Sequence, residues 1–101
     1  MSETRQYWQP KREVAETIAI AGLTFLVADE ERLDRFLALS GLSADGIREA
    51  SSAPGFLTGV MRHIMEDDRI AAAFAAAEGL KAEELAAAAV ALGAIGERDS
   101  P

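Results

Sequence analysis

Between residues 14 and 25 apolar side chains return every three or four positions, at Val14, Ile18, Ala21 and Phe25. That spacing lines one face of an α-helix. Ile20, Leu23, Leu26 and Val27 fill the other faces of its second half, and a helix apolar nearly all round is one buried within a fold. A helix over about residues 11–28 is predicted as the central element. Asp29 then resets the chain, since its carboxylate can accept from the free backbone N–H groups at a helix start. The next helix, residues 30–40, is expected to turn Leu33, Phe36, Leu37 and Leu39 inward. Gly41 can close it in the left-handed conformation, and Leu42 can fold back onto Leu37.

Ser43 can cap a short third helix through residue 50, held by Ile47. Residues 51–55, Ser-Ser-Ala-Pro-Gly, are the one clear break, with Pro54 suited to the first turn of a new helix. The fourth helix, about 54–66, carries Phe56, Leu57, Val60, Met61, Ile64 and Met65 over half its circumference. Asp67 resets the chain again. A fifth helix runs to about residue 78, Gly79-Leu80 follows, and a sixth spans about 82–93. Residues 1–10 read as a flexible arm ended by Pro10, and residues 94–101 as a tail that frays.

The punctuation repeats. Sliding residues 26–50 forward by 38 places Asp29 on Asp67, Phe36 on Phe74, Gly41 on Gly79 and Leu42 on Leu80, with Ala38, Ala44 and Ala50 on further alanines. These positions cap, anchor and end helices. The expected fold is all-α: a compact bundle of about six short helices built from two related three-helix units, about 12–50 and 54–93. Two such units are too few for an open solenoid, so they are expected to close on each other around the first and fourth helices.

A chain of 101 residues sets the expectation of a single domain. With half its residues apolar and about a quarter charged, it has the balance of a globular domain. The net charge of −7 is uneven: residues 1–12 carry Arg5, Lys11 and Arg12 against Glu3, and the rest carries seven basic against sixteen acidic groups. An acidic body repels phosphate backbones, so nucleic-acid binding is not expected; its alternative form is an accessory protein touching phosphate with the short basic arm. No cysteine is present, which removes disulfides, thiol nucleophiles and Cys-based zinc sites. The N-terminus lacks the basic-then-apolar order of a secretory signal. The run from Thr17 to Ala28 is shorter than the about 20 residues a membrane span needs. A cytoplasmic protein without membrane contact is expected.

Candidate chemistry is sparse. His63, the only histidine, precedes Glu66 and Asp67 at three and four residues, so a metal site or acid–base pair on one helix face is conceivable. Di-metal bundles need ligand sets from several helices, and His63 falls on Phe25 in the repeat, which favours a partly packed boundary histidine. Ser51 and Ser52 lack a signalled base and read as loop and capping residues. Gly55 and Gly59 form no phosphate loop. Glu30, Glu31, Arg32, Asp34 and Arg35 make a mixed-charge face of the kind that stays solvated. No catalytic, cofactor or metal residue is assigned, and neither a small-molecule substrate nor a cofactor is indicated.

Partner surfaces have more candidates. Met61 and Met65, one turn apart, can line an adaptable groove, though such a stripe is more often core. Residues 70–94 hold thirteen alanines, so Phe74, Leu80, Leu85, Val90 and Leu92 must anchor the packing. If the last helix is apolar and exposed on both faces, Leu85, Val90 and Leu92 become a partner or self-association surface. Tyr7 and Trp8 stand out on the polar arm, either to anchor a partner or to fold back over the end of the bundle. A protein partner or a second copy of the chain is what these residues predict.

The segments ETIAIAGLTFLVADEERLDRFLALSGL, APGFLTGVMRHIMEDD and AAAFAAAEGLKAEEL, above all RFLALSGL (35–42) and the F-A-x-x-x-G-L stretch (74–80), resemble a family of small alphaproteobacterial proteins catalogued as domain of unknown function 3572. The resemblance spans about residues 12–92. It implies an all-helical fold, a bacterial cytoplasmic setting and no assigned activity. The sequence departs from the family pattern at His63 and at alanines 71–73, where longer aliphatic side chains are usual. The sequence thus points to a small non-enzymatic helical protein acting as an interaction or regulatory module. An enzyme or metal carrier using His63 with Glu66 or Asp67 is the alternative.

Overall fold

Three of the four buried side-chain positions of the first helix are alanine or glycine. The computed structural model describes residues 10–96, and α1 (Arg12–Val27) buries Ala15, Ala19, Gly22 and Leu26. Ile18, Ala21 and Phe25 lie at the flank, half-buried, and Val14 is exposed. The inner face is therefore rotated from the one expected through Val14. Alanine and glycine let another backbone come close, and that approach rather than side-chain bulk selects the face. A Cβ built on Gly22 would stand 2.7 Å from Ile64 Cδ1 and 3.6 Å from Phe74 Cζ.

α2 (Glu30–Ser40) and α5 (Asp68–Glu78) begin and end by the same chemistry. Asp29 accepts from the Arg32 N–H at 3.1 Å, and Asp67 from Arg69 at 2.9 Å and Ile70 at 3.4 Å. Each satisfies donors left free at a helix start. Gly41 (φ 77°) and Gly79 (φ 69°) close the two helices in the left-handed region, where a Cβ is strained. Leu42 and Leu80 then pack against the core. Phe36 and Phe74 are both buried.

The third segments of the two halves differ. α3 (Gly46–Ala50) is little more than one turn, whereas α6 (Ala82–Ala91) has ten residues. Ser43 accepts from the Gly46 N–H at 3.0 Å, holding the turn that leads into α3. α4 (Phe56–Met65) starts later than expected, because Gly55 takes φ 86° immediately before it. Pro54 consequently sits in the preceding turn and not in the helix.

α1 packs against α2, α4 and α6; α4 against α5 and α6; α5 against α6. One apolar cluster joins them, with Phe74, Leu26, Met61, Ile64, Leu85 and Val60 as its largest fully buried side chains. Leu39, expected to face inward, is 67% exposed. α2 packs mainly on α1, with Phe36 also meeting His63 of α4, and its flank at Leu39 is left uncovered. At the far end Gly93 (φ 74°) turns the chain back, and the Ala94 N–H donates to the Ala89 carbonyl at 2.8 Å. Ala94 is therefore buried and Ile95 packs on the core, where fraying had been expected. Among the described residues there are six helices and no strand, an all-α bundle, and no helix is long and apolar enough to cross a membrane.

Candidate functional site

His63 lies in the last turn of α4 with its ring edge-on to Phe36, centroids 5.1 Å apart and planes at 76°. Phe25 meets Phe74 at 5.4 Å. In the alignment expected from the sequence, 25 stands with 63 and 36 with 74, each pair 38 apart, and the two contacts link these positions. His63 thus fills an aromatic packing position. Burial is the main influence on its imidazole and lowers its pKa from 6.5; Glu66 and Asp67 push upward, and Arg35 adds to the lowering.

The carboxylates proposed beside it have other duties. Asp67 caps α5, and its second oxygen stands 4.0 Å from Arg35. Among the described residues, no three His, Asp or Glu side chains converge as a metal ion would require. What the arrangement does chemically is hold a mostly neutral imidazole against a ring.

A pH dependence follows. The folded chain binds the His63 proton more weakly than the unfolded chain, whose pKa is near 6.5. Between the folded pKa and 6.5 the unfolded state carries more protons, so stability falls as pH drops through that window. His63's contribution is fully present above 6.5 and lost below the folded value. His63→Phe is expected to flatten this part of the melting-temperature profile, measured by circular dichroism. An unchanged slope would mean that other groups produce it.

The candidate partner residues divide by burial. Met61, Leu85 and Leu92 are core side chains, so the folded chain cannot offer them to a partner. Met65 and Val90 are half-buried, and Met65 packs against the core. Beyond its first turn α6 has no exposed residue, so its alanines serve close packing. Tyr7 and Trp8 lie outside the described residues.

The uncovered apolar face is on α1. Ile20 is 53% and Val27 47% exposed. With Leu23 and Thr24 between them, these residues occupy the i, i+3, i+4 and i+7 positions of one helical stripe. The Thr24 hydroxyl donates to the Ile20 carbonyl at 3.1 Å, and the Thr17 hydroxyl to the Glu13 carbonyl at 3.0 Å. Both hydroxyls are spent on their own helix, which leaves methyl groups as the outward part of each side chain. Sequence reasoning missed this face because apolar residues all round α1 read as burial. The signal lay in Thr17 and Thr24, seven residues apart on a line with Ile20 and Val27.

A cleft opens at one end of the bundle. Arg12 and Glu16 of α1, joined at 3.3 Å, form one wall; Ala53, Leu57, Thr58 and Leu92 form the rest. Thr58 donates to the Leu92 carbonyl at 2.9 Å and ties α4 to the end of α6. The cleft has a volume of about 210 Å³, well above the roughly 10–15 Å³ that one water needs.

No curated protein and no solved structure matches the chain. The family model described as "Protein of unknown function (DUF3572)" matches residues 12–94, from the first turn of α1 to the buried Ala94 just past α6. With caps, anchors and core all inside that match, the chain belongs to this family.

Proposed function

We propose that the protein is a non-enzymatic interaction module that binds a protein partner through the outer face of α1. The observation that carries this is the exposed line of Ile20, Thr24 and Val27 on α1, with half-buried Leu23 packed against the core at its inner margin. An i, i+3, i+4, i+7 set of apolar anchors is how a helix engages an apolar groove. Glu13 and Glu16 border the stripe on the same helix, and the chain carries −7 overall. The partner therefore presents an apolar groove rimmed by lysine or arginine, and its association is faster at low salt. Two copies of the acidic chain repel each other, which disfavours self-association. The proposal includes a bacterial cytoplasmic setting, which suits a chain without cysteine.

The test is a differential capture from lysate with wild type, Ile20→Lys, and Ile70→Lys as a control on a different helix. Capture of a basic protein that weakens in salt, is lost with Ile20→Lys and survives Ile70→Lys supports the proposal. Retention by Ile20→Lys at unchanged helix content overturns it. So does a wild-type mass that doubles with concentration in light scattering, because the face then belongs to a dimer.

A further inference from the structure

We infer that residues 29–55, which carry α2 and α3, form an arm that opens as one unit from a four-helix core of α1, α4, α5 and α6, baring apolar groups that the closed fold hides. The α1 stripe belongs to the core and keeps its place whether the arm is open or closed, so this does not depend on the partner proposed above.

Burial sets the arm apart. From residue 27 to residue 59 a single side chain, Phe36, is buried, and every other core residue lies within 15–26 or 60–94. α3 buries none of its residues. α2 packs mainly on α1, whereas α4, α5 and α6 pack on one another and α4 and α6 also on α1. The arm starts at the turn where Asp29 caps α2, and it ends in residues 51–55, all exposed. A segment with few buried apolar contacts opens at a lower free energy than the whole molecule. With the arm away, the four remaining helices keep Leu26, Val60, Met61, Ile64, Phe74 and Leu85, the largest of the fully or nearly fully buried side chains.

The fastenings are of the same kind. Apart from Phe36 against His63, α2 is held by the Arg32 guanidinium 3.9 Å from the Phe25 ring centroid and by Arg35 4.0 Å from Asp67. Arg35 is mostly exposed, and such a pair contributes little. Leu42 and Ile47 are only partly buried where they meet the core. One buried aromatic anchor ringed by polar contacts is how a separate helix sits in a groove. Opening bares Phe36 and Leu42 on the arm, and Phe25 and His63 on the core. A ligand of these groups binds the open form alone and shifts the population by its own affinity.

Native-state hydrogen exchange on the full chain, followed by NMR over a series of sub-denaturing urea concentrations, tests this. Interior amides of α2 should exchange faster than those of α1, α4 and α6 by on the order of ten-fold or more. Their dependence on urea should be shallower, because opening the arm exposes less surface than unfolding the molecule. Leu85→Ala lies in α6, which packs on α1, α4 and α5. It should speed exchange of the core amides and leave the α2 rate unchanged, since Leu85 does not move when the arm opens. Val90→Ala is the milder variant for the same comparison. Phe36→Ala should speed exchange throughout α2. Wild-type α2 amides that match the core in rate and urea dependence overturn the proposal. Acceleration of α2 and core by the same factor in the α6 variants overturns it too, because α2 then opens only with the whole molecule. An α2 rate indifferent to Phe36→Ala has the same consequence, since the exchange is then fraying and not release of the anchor.

Discussion

Phe74→Ala should remove about 4 kcal/mol of stability, the middle of the range for deleting a buried aromatic ring. Phe74 is fully buried at the junction of α1, α4 and α5, against Phe25 and next to the only glycine in the inner line of α1. Gly22 on the facing helix has no side chain to extend into the vacated space, so the cavity closes only in part. For a domain of this size each kcal/mol is worth about 4–8 °C, so the melting temperature should fall by on the order of 15–30 °C. Phe74→Leu keeps most of the volume and should cost less than about half as much. A thermal melt of the two variants checks this. Equal small losses from both would mean that Phe74 is not the anchor of the core.

Part of that loss is reciprocal. Phe25 is covered on its other side by the Arg32 guanidinium, 3.9 Å from the ring centroid, a cation–π contact that also ties α2 to α1. Removing Phe74 leaves Phe25 with the arginine alone. Phe36 and His63 make a separate edge-on contact between α2 and α4.

Helix ends were legible because their causes are local. An Asp before a helix and a Gly-Leu after it act through hydrogen bonds to the next few residues, and the limits of α2 and α5 follow from Asp29, Gly41, Asp67 and Gly79 alone. Inward faces were less legible, because they depend on which other helices arrive. Val14 and Leu39 have the right spacing for core residues and are exposed, since no helix covers that flank of α1 or of α2. Met61, Leu85 and Leu92 have the look of a partner surface and are core, because α6 packs on three helices at once. The α1 stripe was hidden by a bias of periodicity itself. Counting large apolar residues finds bulk, whereas the innermost line of α1 is made by the absence of bulk at Ala15, Ala19 and Gly22. Close approach on one side of α1 is what leaves Ile20 and Val27 on the other.

Gly22→Leu is expected to cost about 3 kcal/mol, the upper part of the range for overfilling a packed core. A Cβ alone would already come within 2.7 Å of Ile64 Cδ1, and Ile64 is fully buried, with no open space to swing into. Gly22→Ala is the informative smaller step. It gains about 1 kcal/mol of helix propensity and loses a similar amount to the overlap, so its melting temperature should stay close to wild type. The two terms separate in a double-mutant cycle. Ile64→Val deletes the one methyl group that the new Cβ meets and by itself costs roughly 0.5–1.5 kcal/mol. In that background Gly22→Ala should stabilise, giving a favourable coupling of about 1 kcal/mol, whereas distant sites add independently. Strict additivity would mean that α1 moves away from α4 to admit the extra carbon. The outer stripe would then shift with it, and partner capture through Ile20 should weaken in Gly22→Ala even though the stripe is unchanged. If the coupling is found instead, α1 is locked in place by its glycine, and the face it presents is as rigid as the core beneath it.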